Sequence, residues 1–160
     1  RSSAGEEVHG SGLGGALHDL CAITAGASEG IGLGANSKGA FITRSLAALL
    51  RLGTAMGGNP RTFYGLSGAG DLIATCFSRY SRNRRVGEQL GRGASLNDIT
   101  AGMQQVAEGI PTAKGAYECA RKSGIETPII DQIYAVLYEG KSPGQAMEEL
   151  LGRDQKAERI

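Results

Sequence analysis

The chain has 160 residues, enough for one domain that buries about 70% of the surface its unfolded form exposes. Hydrophobic residues make up 41% and charged residues 21%. That balance excludes a disordered chain, and no apolar run reaches the roughly 18 residues a membrane-spanning helix needs. Seventeen Lys and Arg against 16 Asp and Glu leave a net charge of +1, which argues against a globally basic nucleic-acid binder.

Glycine is 26 of 160 residues, and aromatic residues are only 5%. The glycines follow no fixed period and sit among apolar residues, so they predict short helices with close backbone approaches rather than a linker. Cys21, Cys76 and Cys119 are odd in number and far apart. With only His9 and His18 beside them, the sequence predicts free thiols and no metal site. No secretory leader is visible, and the expected location is the cytoplasm.

Residues 1–6 are small or polar and read as a disordered terminus or an expression scar. From there the sequence reads as helices. Leu13 to about Ala27 is apolar and small, a buried helix. Residues 36–57 place Ile42, Leu46, Leu49 and Met56 on one face and Arg44 and Arg51 opposite, with Gly57 and Gly58 as the stop. Asn59-Pro60 reads as an N-cap with proline at the first helical position, and a short helix follows over 66–76. Ser81 caps another that ends near Gly91 or Gly93, and Ser95 to Asp98 resembles an acidic capping box. Residues 111–123 bring Ala113, Ala116, Tyr117 and Ala120 to one face, with Lys114, Glu118 and Lys122 outside. Thr127-Pro128 opens the next helix, with Ile129, Ile133, Val136 and Leu137 inward and Gly140 closing it. Ser142-Pro143 opens the last, with Gln145 in a capping box and Gly152 as its stop. No segment alternates strictly and no βαβ pattern occurs, so the expected class is all-α. The domain spans 7–153, with a tail over 154–160.

Three stretches are candidates for chemistry. Gly10, Gly12 and Gly15 match the dinucleotide fingerprint Gly-x-Gly-x-x-Gly, but the polar residues upstream cannot supply the buried strand that fingerprint requires. Helix packing or a turn is the better reading. In Gly65 to Arg85, Asp71 and Thr75 lie four apart, and Arg79, Arg82, Arg84 and Arg85 cluster with Ser78, Ser81 and Asn83. Ser81-Arg82-Asn83 at a helix start offers a hydroxyl, a guanidinium fork, an amide and free backbone N–H groups, the parts of a phosphate site. A solvated basic face remains the alternative. Glu108, before Gly109 and Pro111, falls on a turn, where a carboxylate either accepts ribose hydroxyls or is simply solvated.

Together these residues resemble a known family. Gly-Asp-Leu-x-x-Thr-Cys and Ser-Arg-Asn-Arg-Arg within 65–85, Leu-Gly-Gly-Ala-Leu at 13–17, Asn-Ser-Lys-Gly-Ala-Phe-Ile-Thr-Arg at 36–44 and Val-Ala-Glu-Gly at 106–109 are similar to the C-terminal half of bacterial-type NAD(P)-dependent glycerol-3-phosphate dehydrogenases. The resemblance covers about Glu7 to Leu150. It implies a multi-helix substrate domain, similar to the C-terminal helical fold of 6-phosphogluconate dehydrogenase, that works with an N-terminal Rossmann domain absent from this chain. The implied substrate is a small phosphorylated polyol or ketone and the cofactor NAD or NADP, held mainly by the other domain. A homodimer is left open, with no nucleic acid and no membrane insertion.

By position the resemblance makes Asp71, Thr75, Ser81, Arg82 and Asn83 substrate-binding, and Arg82, Val106 and Glu108 cofactor-binding. It also implies a Lys-Asn pair after Gly-Gly-Ala-Leu, the Lys being the proton acceptor, and a Glu before Leu-Gly-Gly. This chain has His18-Asp19 and Gly12 there. Either His18 takes over proton transfer, or the stretch is altered and His18 is a partly exposed helix residue without a role. The rival to a dehydrogenase half is a non-catalytic helical module that binds a phosphoanion or dimerises.

Overall fold

The structure is a computed structural model that describes the backbone of residues 3–153 and the side chains of 14–61, 63–65 and 68–153. The expected tail over 154–160, the side chain of His9 and the surroundings of Gly12 lie outside the described residues. In chain order the helices are α1 (Ser3–Ile31), α2 (Ala35–Ala55), α3 (Pro60–Tyr64), α4 (Asp71–Phe77), α5 (Arg82–Gly91), α6 (Leu96–Ala101), α7 (Gly109–Lys122), α8 (Pro128–Tyr138) and α9 (Pro143–Leu151). A π-turn over Leu66–Gly70 leads into α4. No strand occurs among the described residues, so the all-α expectation holds.

The organising contact is between α1 and α5. A Cβ on Gly26 would overlap the carbonyl of Arg84, and one on Gly30 the carbonyl of Glu88. Reciprocally, Cβ atoms on Gly87 and Gly91 would press into the carbonyls of Ile23 and Ala27. Residue numbers rise together along both helices, so they run side by side in the same direction. Only glycine lets two helix backbones come this close.

Around this pair, Leu20, Ile23, Phe41, Leu49, Leu52, Phe63, Val86, Ile130, Ile133 and Leu150 form the main core. A smaller cluster of Cys21, Ala25, Leu72 and Cys76, with Ile42 and Leu46 against it, seats α4 on α1. The three cysteines are free thiols, as expected. Burial holds the Cys21 thiol protonated and pushes Cys76 up to about 11, so neither is a nucleophile at neutral pH. The caps follow the sequence closely. Asn59 accepts from the Arg61 N–H, Ser81 from Arg84, Ser95 from Asp98 and Ser142 from Gln145.

Three expectations need correction. The first helix is longer than residues 13–27: its backbone is helical from Ser3, so Gly10, Gly12 and Gly15 lie in mid-helix rather than in a nucleotide-binding turn. The helix expected over 66–76 is broken. Gly68 packs on the backbone of Phe63 so tightly that a Cβ would overlap its carbonyl, and this wide turn precedes α4. Met56 does not face the core. It is 51% exposed, because α2 ends at Ala55 and Gly57 turns the chain away with φ 89°. Thr127 precedes α8 as expected but its side chain caps nothing, and its buried Oγ1 has no partner.

Candidate functional site

Ser81 sits at the N-cap of α5, its Oγ accepting the Arg84 N–H at 3.2 Å. The N–H groups of Arg82 and Asn83 begin the helix with no acceptor inside it, so this helix end presents donors and a positive dipole to an anion. Arg82 is exposed, and its Nη1 donates to Gln105 Oε1. Asn83 is buried. Its Oδ1 accepts the Gly109 N–H at 2.8 Å, which turns its amide nitrogen to donate to the Asp19 carboxylate. One side chain thus ties α1, α5 and the start of α7 together. Gly109 must be glycine here: a Cβ would stand 2.7 Å from Asn83 Oδ1 and 2.8 Å from Ile23 Cδ1.

Glu108 is exposed at the N-cap of α7, and Val106 just before it is 61% exposed. Burial raises the Asp19 carboxyl above its ordinary range. A His18 cation would pull it back, Glu108 pushes it further up, and Asn83 and Arg82 lower it. These interactions place Asp19, His18, Asn83, Arg82 and Glu108 in one electrostatic neighbourhood.

Asp71 opens α4 on the exposed side, and its Oδ2 lies 3.1 Å from His18 Nδ1. The two groups differ sharply in access: the His18 side chain is 3% exposed and that of Asp71 59%. His18 is therefore not the partly exposed residue the sequence allowed, and its Nε2 is enclosed without a partner. Thr75 follows Asp71 by one turn and is half-buried. The structure thus brings His18 in the middle of α1 together with Asp71, Arg82, Asn83 and Glu108 at the starts of α4, α5 and α7. None of them lines the small apolar gap of about 30 Å³ in the core between Ile23, Leu90, Leu137 and Leu150.

Sequence reasoning missed one group. Glu29 accepts from Lys38 Nζ and from Arg84 Nη2, one oxygen for each. Arg84, expected within the phosphate-facing basic cluster, is turned inward by this contact. Lys38 is buried, with its Nζ 4.4 Å from the Phe77 ring centroid. Burial lowers its pKa, and Arg84 lowers it further. The signal was available in an acid near the end of one helix facing a lysine in the first turn of the next.

The sequence model of the family described as NAD-dependent glycerol-3-phosphate dehydrogenase C-terminus matches residues 7–148. The chain belongs to that family. A glycerol-3-phosphate dehydrogenase (NAD(P)+) of Syntrophotalea carbinolica is 52% identical over 146 residues, covering 91% of this chain and 44% of the relative. One from Geobacter sulfurreducens is 51% identical, with 96% and 46% covered. The crystal structure of glycerol-3-phosphate dehydrogenase from Coxiella burnetii superposes with a TM-score of 0.87 at 39% identity, over 90% of this chain and 44% of that one. At 24% identity, the structure of DsGPDH from Dunaliella salina shares the fold, with a TM-score of 0.76. The chain spans a little under half the length of these bacterial relatives.

Proposed function

We propose that this chain is the substrate-binding half of an oxidoreductase that interconverts sn-glycerol 3-phosphate and dihydroxyacetone phosphate with NAD or NADP, in the cytoplasm, for glycerophospholipid synthesis. The observation that carries the reading is the start of α5, where the Ser81 cap, the Arg82 and Asn83 N–H groups and the exposed Arg82 guanidinium stand together. A phosphomonoester carries nearly two negative charges and presents several acceptor oxygens. A guanidinium fork over a helix N-terminus answers both. Asp71, and Thr75 one turn on, supply acceptors and a hydroxyl for the polyol end.

The rim fits a dinucleotide contact as well. Glu108 is an exposed carboxylate suited to ribose hydroxyls, Val106 gives an apolar surface, and Arg82 stands between the two sites. NAD or NADP would supply the hydride acceptor or donor, held mainly by a Rossmann domain in the part of the protein outside this chain. This chain's own residues bind the phosphate, orient the polyol and complete the cofactor pocket. As proton acceptor, His18 would have to work from a buried ring.

The rival reading, a non-catalytic phosphoanion-binding module, is favoured by that burial. Dihydroxyacetone phosphate reduction by the full-length protein, followed by loss of NADH or NADPH absorbance, decides between them. Turnover that falls when Arg82 becomes Ala is the expected result. No turnover with either nucleotide would leave the binding module.

A further inference from the structure

We propose that His18 is a positioning residue that acts through Asp71: its Nδ1–H fixes the carboxylate already assigned to the polyol end, and His18 itself takes no proton from the substrate. Asp71 is 59% exposed at the mouth of the site, and His18 lies behind it at 3%. The carboxylate meets Nδ1 of the imidazole, and the other ring nitrogen is enclosed.

Proton placement follows from the partners. An exposed carboxylate accepts hydrogen bonds at neutral pH and has no proton to give. The 3.1 Å contact between Asp71 Oδ2 and His18 Nδ1 therefore needs the proton on Nδ1. Neutral imidazole has one N–H, so Nε2 then carries a bare lone pair. Nε2 is the enclosed, unpartnered atom. A second proton there would bury an unpaired N–H of a cation, which costs far more than a bare lone pair. The site thus selects one neutral tautomer, with Nδ1–H fixed on Asp71.

That hydrogen bond restricts the rotation of the Asp71 carboxylate and holds one oxygen. The other is left to accept a hydroxyl from the polyol end of a substrate whose phosphate lies on Ser81, Arg82 and Asn83. No proton passes to Nε2 in this arrangement. His18 contributes orientation, and its Nε2 faces the protein interior. This inference rests on the reading that the ligand is a polyol phosphate.

Two measurements on the full-length protein test it. The first is kinetic. His18→Leu removes the donor and is expected to raise the KM for sn-glycerol 3-phosphate at least tenfold. His18→Asn, whose amide N–H can take the place of Nδ1–H but cannot accept a proton, is expected to rescue most of that loss. Melting temperatures of both variants separate misfolding from mispositioning. If His18→Asn is as impaired in kcat as His18→Leu, by about 100-fold, the usual scale of a lost general base, His18 is the proton acceptor and the proposal is wrong. If His18→Leu has no effect, it is wrong as well. The second measurement reads the tautomer directly, by nitrogen NMR of histidine-labelled protein with His18→Asn as the assignment control. A protonated Nδ1 with a bare Nε2, lost in Asp71→Ala, is expected. A protonated Nε2 would overturn the proposal whether or not the enzyme is active. A protein that shows the expected tautomer but reduces no dihydroxyacetone phosphate would refute the functional reading alone.

Discussion

Adding one methyl group at Gly87 tests whether the α1–α5 crossing sets the site. A Cβ there would overlap the Ile23 carbonyl oxygen and stand 2.8 Å from the Ile23 carbonyl carbon and the Ala27 nitrogen. All three are backbone atoms of α1, so no rotamer change relieves the clash and the helices must separate. Overpacking of this kind costs about 1–3 kcal/mol, and an unyielding neighbour favours the upper end. Alanine returns about 1 kcal/mol through its better helix propensity. The net loss is about 2 kcal/mol, which in a domain of this size lowers the melting temperature by roughly 4–8 °C. Gly39→Ala is the matched control. It lies within α2, where a Cβ meets nothing within 4 Å, so the propensity gain of about 1 kcal/mol should appear alone and raise the melting temperature. Thermal unfolding of the two variants beside the parent protein gives the comparison. Because Asn83 lies one turn before Gly87 on α5, separating the helices also pulls it from the Gly109 N–H, and substrate KM should rise in Gly87→Ala only. A Gly87→Ala protein as stable as Gly39→Ala would refute the claim that backbone contact holds these helices together.

Three further outcomes follow from the same contacts. Asn83→Ala strands the buried Gly109 N–H and removes a donor from Asp19; a loss of about 1–3 kcal/mol is expected by urea unfolding, together with weaker substrate binding. Arg82→Ala removes a charge-assisted contact worth roughly 1.5–3 kcal/mol, so binding of sn-glycerol 3-phosphate measured by calorimetry should weaken by about 10- to 150-fold, and an unchanged affinity would return this residue to the solvated face. The Asp19 carboxyl is raised mainly by burial above its ordinary value of 3.8, so the charged form strains the fold at neutral pH and the neutral form does not. Asp19→Asn should therefore stabilise the protein near pH 7, with the gain shrinking as pH falls through the raised value and gone below 3.8; unfolding midpoints across that range would show a constant difference if the reasoning fails.

What the sequence made legible, and what it hid, divides along a physical line. Caps are local: Asn59, Ser81, Ser95 and Ser142 each bond a backbone N–H two or three residues ahead, and their identities were enough to place α3, α5, α6 and α9. The glycines were legible as close approaches but not as partners, because Gly26 and Gly87 are 61 positions apart and acquire meaning only against the carbonyls of Arg84 and Ile23 on the opposite helix. The site divides in the same way. Ser81-Arg82-Asn83 offers a hydroxyl, a guanidinium and an amide in three consecutive residues, so the capping signal was enough to place them at the start of α5. The contact between His18 and Asp71 joins residues 53 apart, and that between Arg84 and Glu29 residues 55 apart. The sequence left His18 open between a proton acceptor and a residue without a role, and placed Arg84 in a phosphate-facing cluster. Glu29 turns Arg84 inward, and the packing of Leu72 and Cys76 against Cys21 and Ala25 lays α4 over α1 so that Asp71 meets the His18 ring one turn before Cys21. The chemistry of this site is thus set by which helix lies on α1, and a change at Leu72 or Ala25 would alter it without touching a ligand.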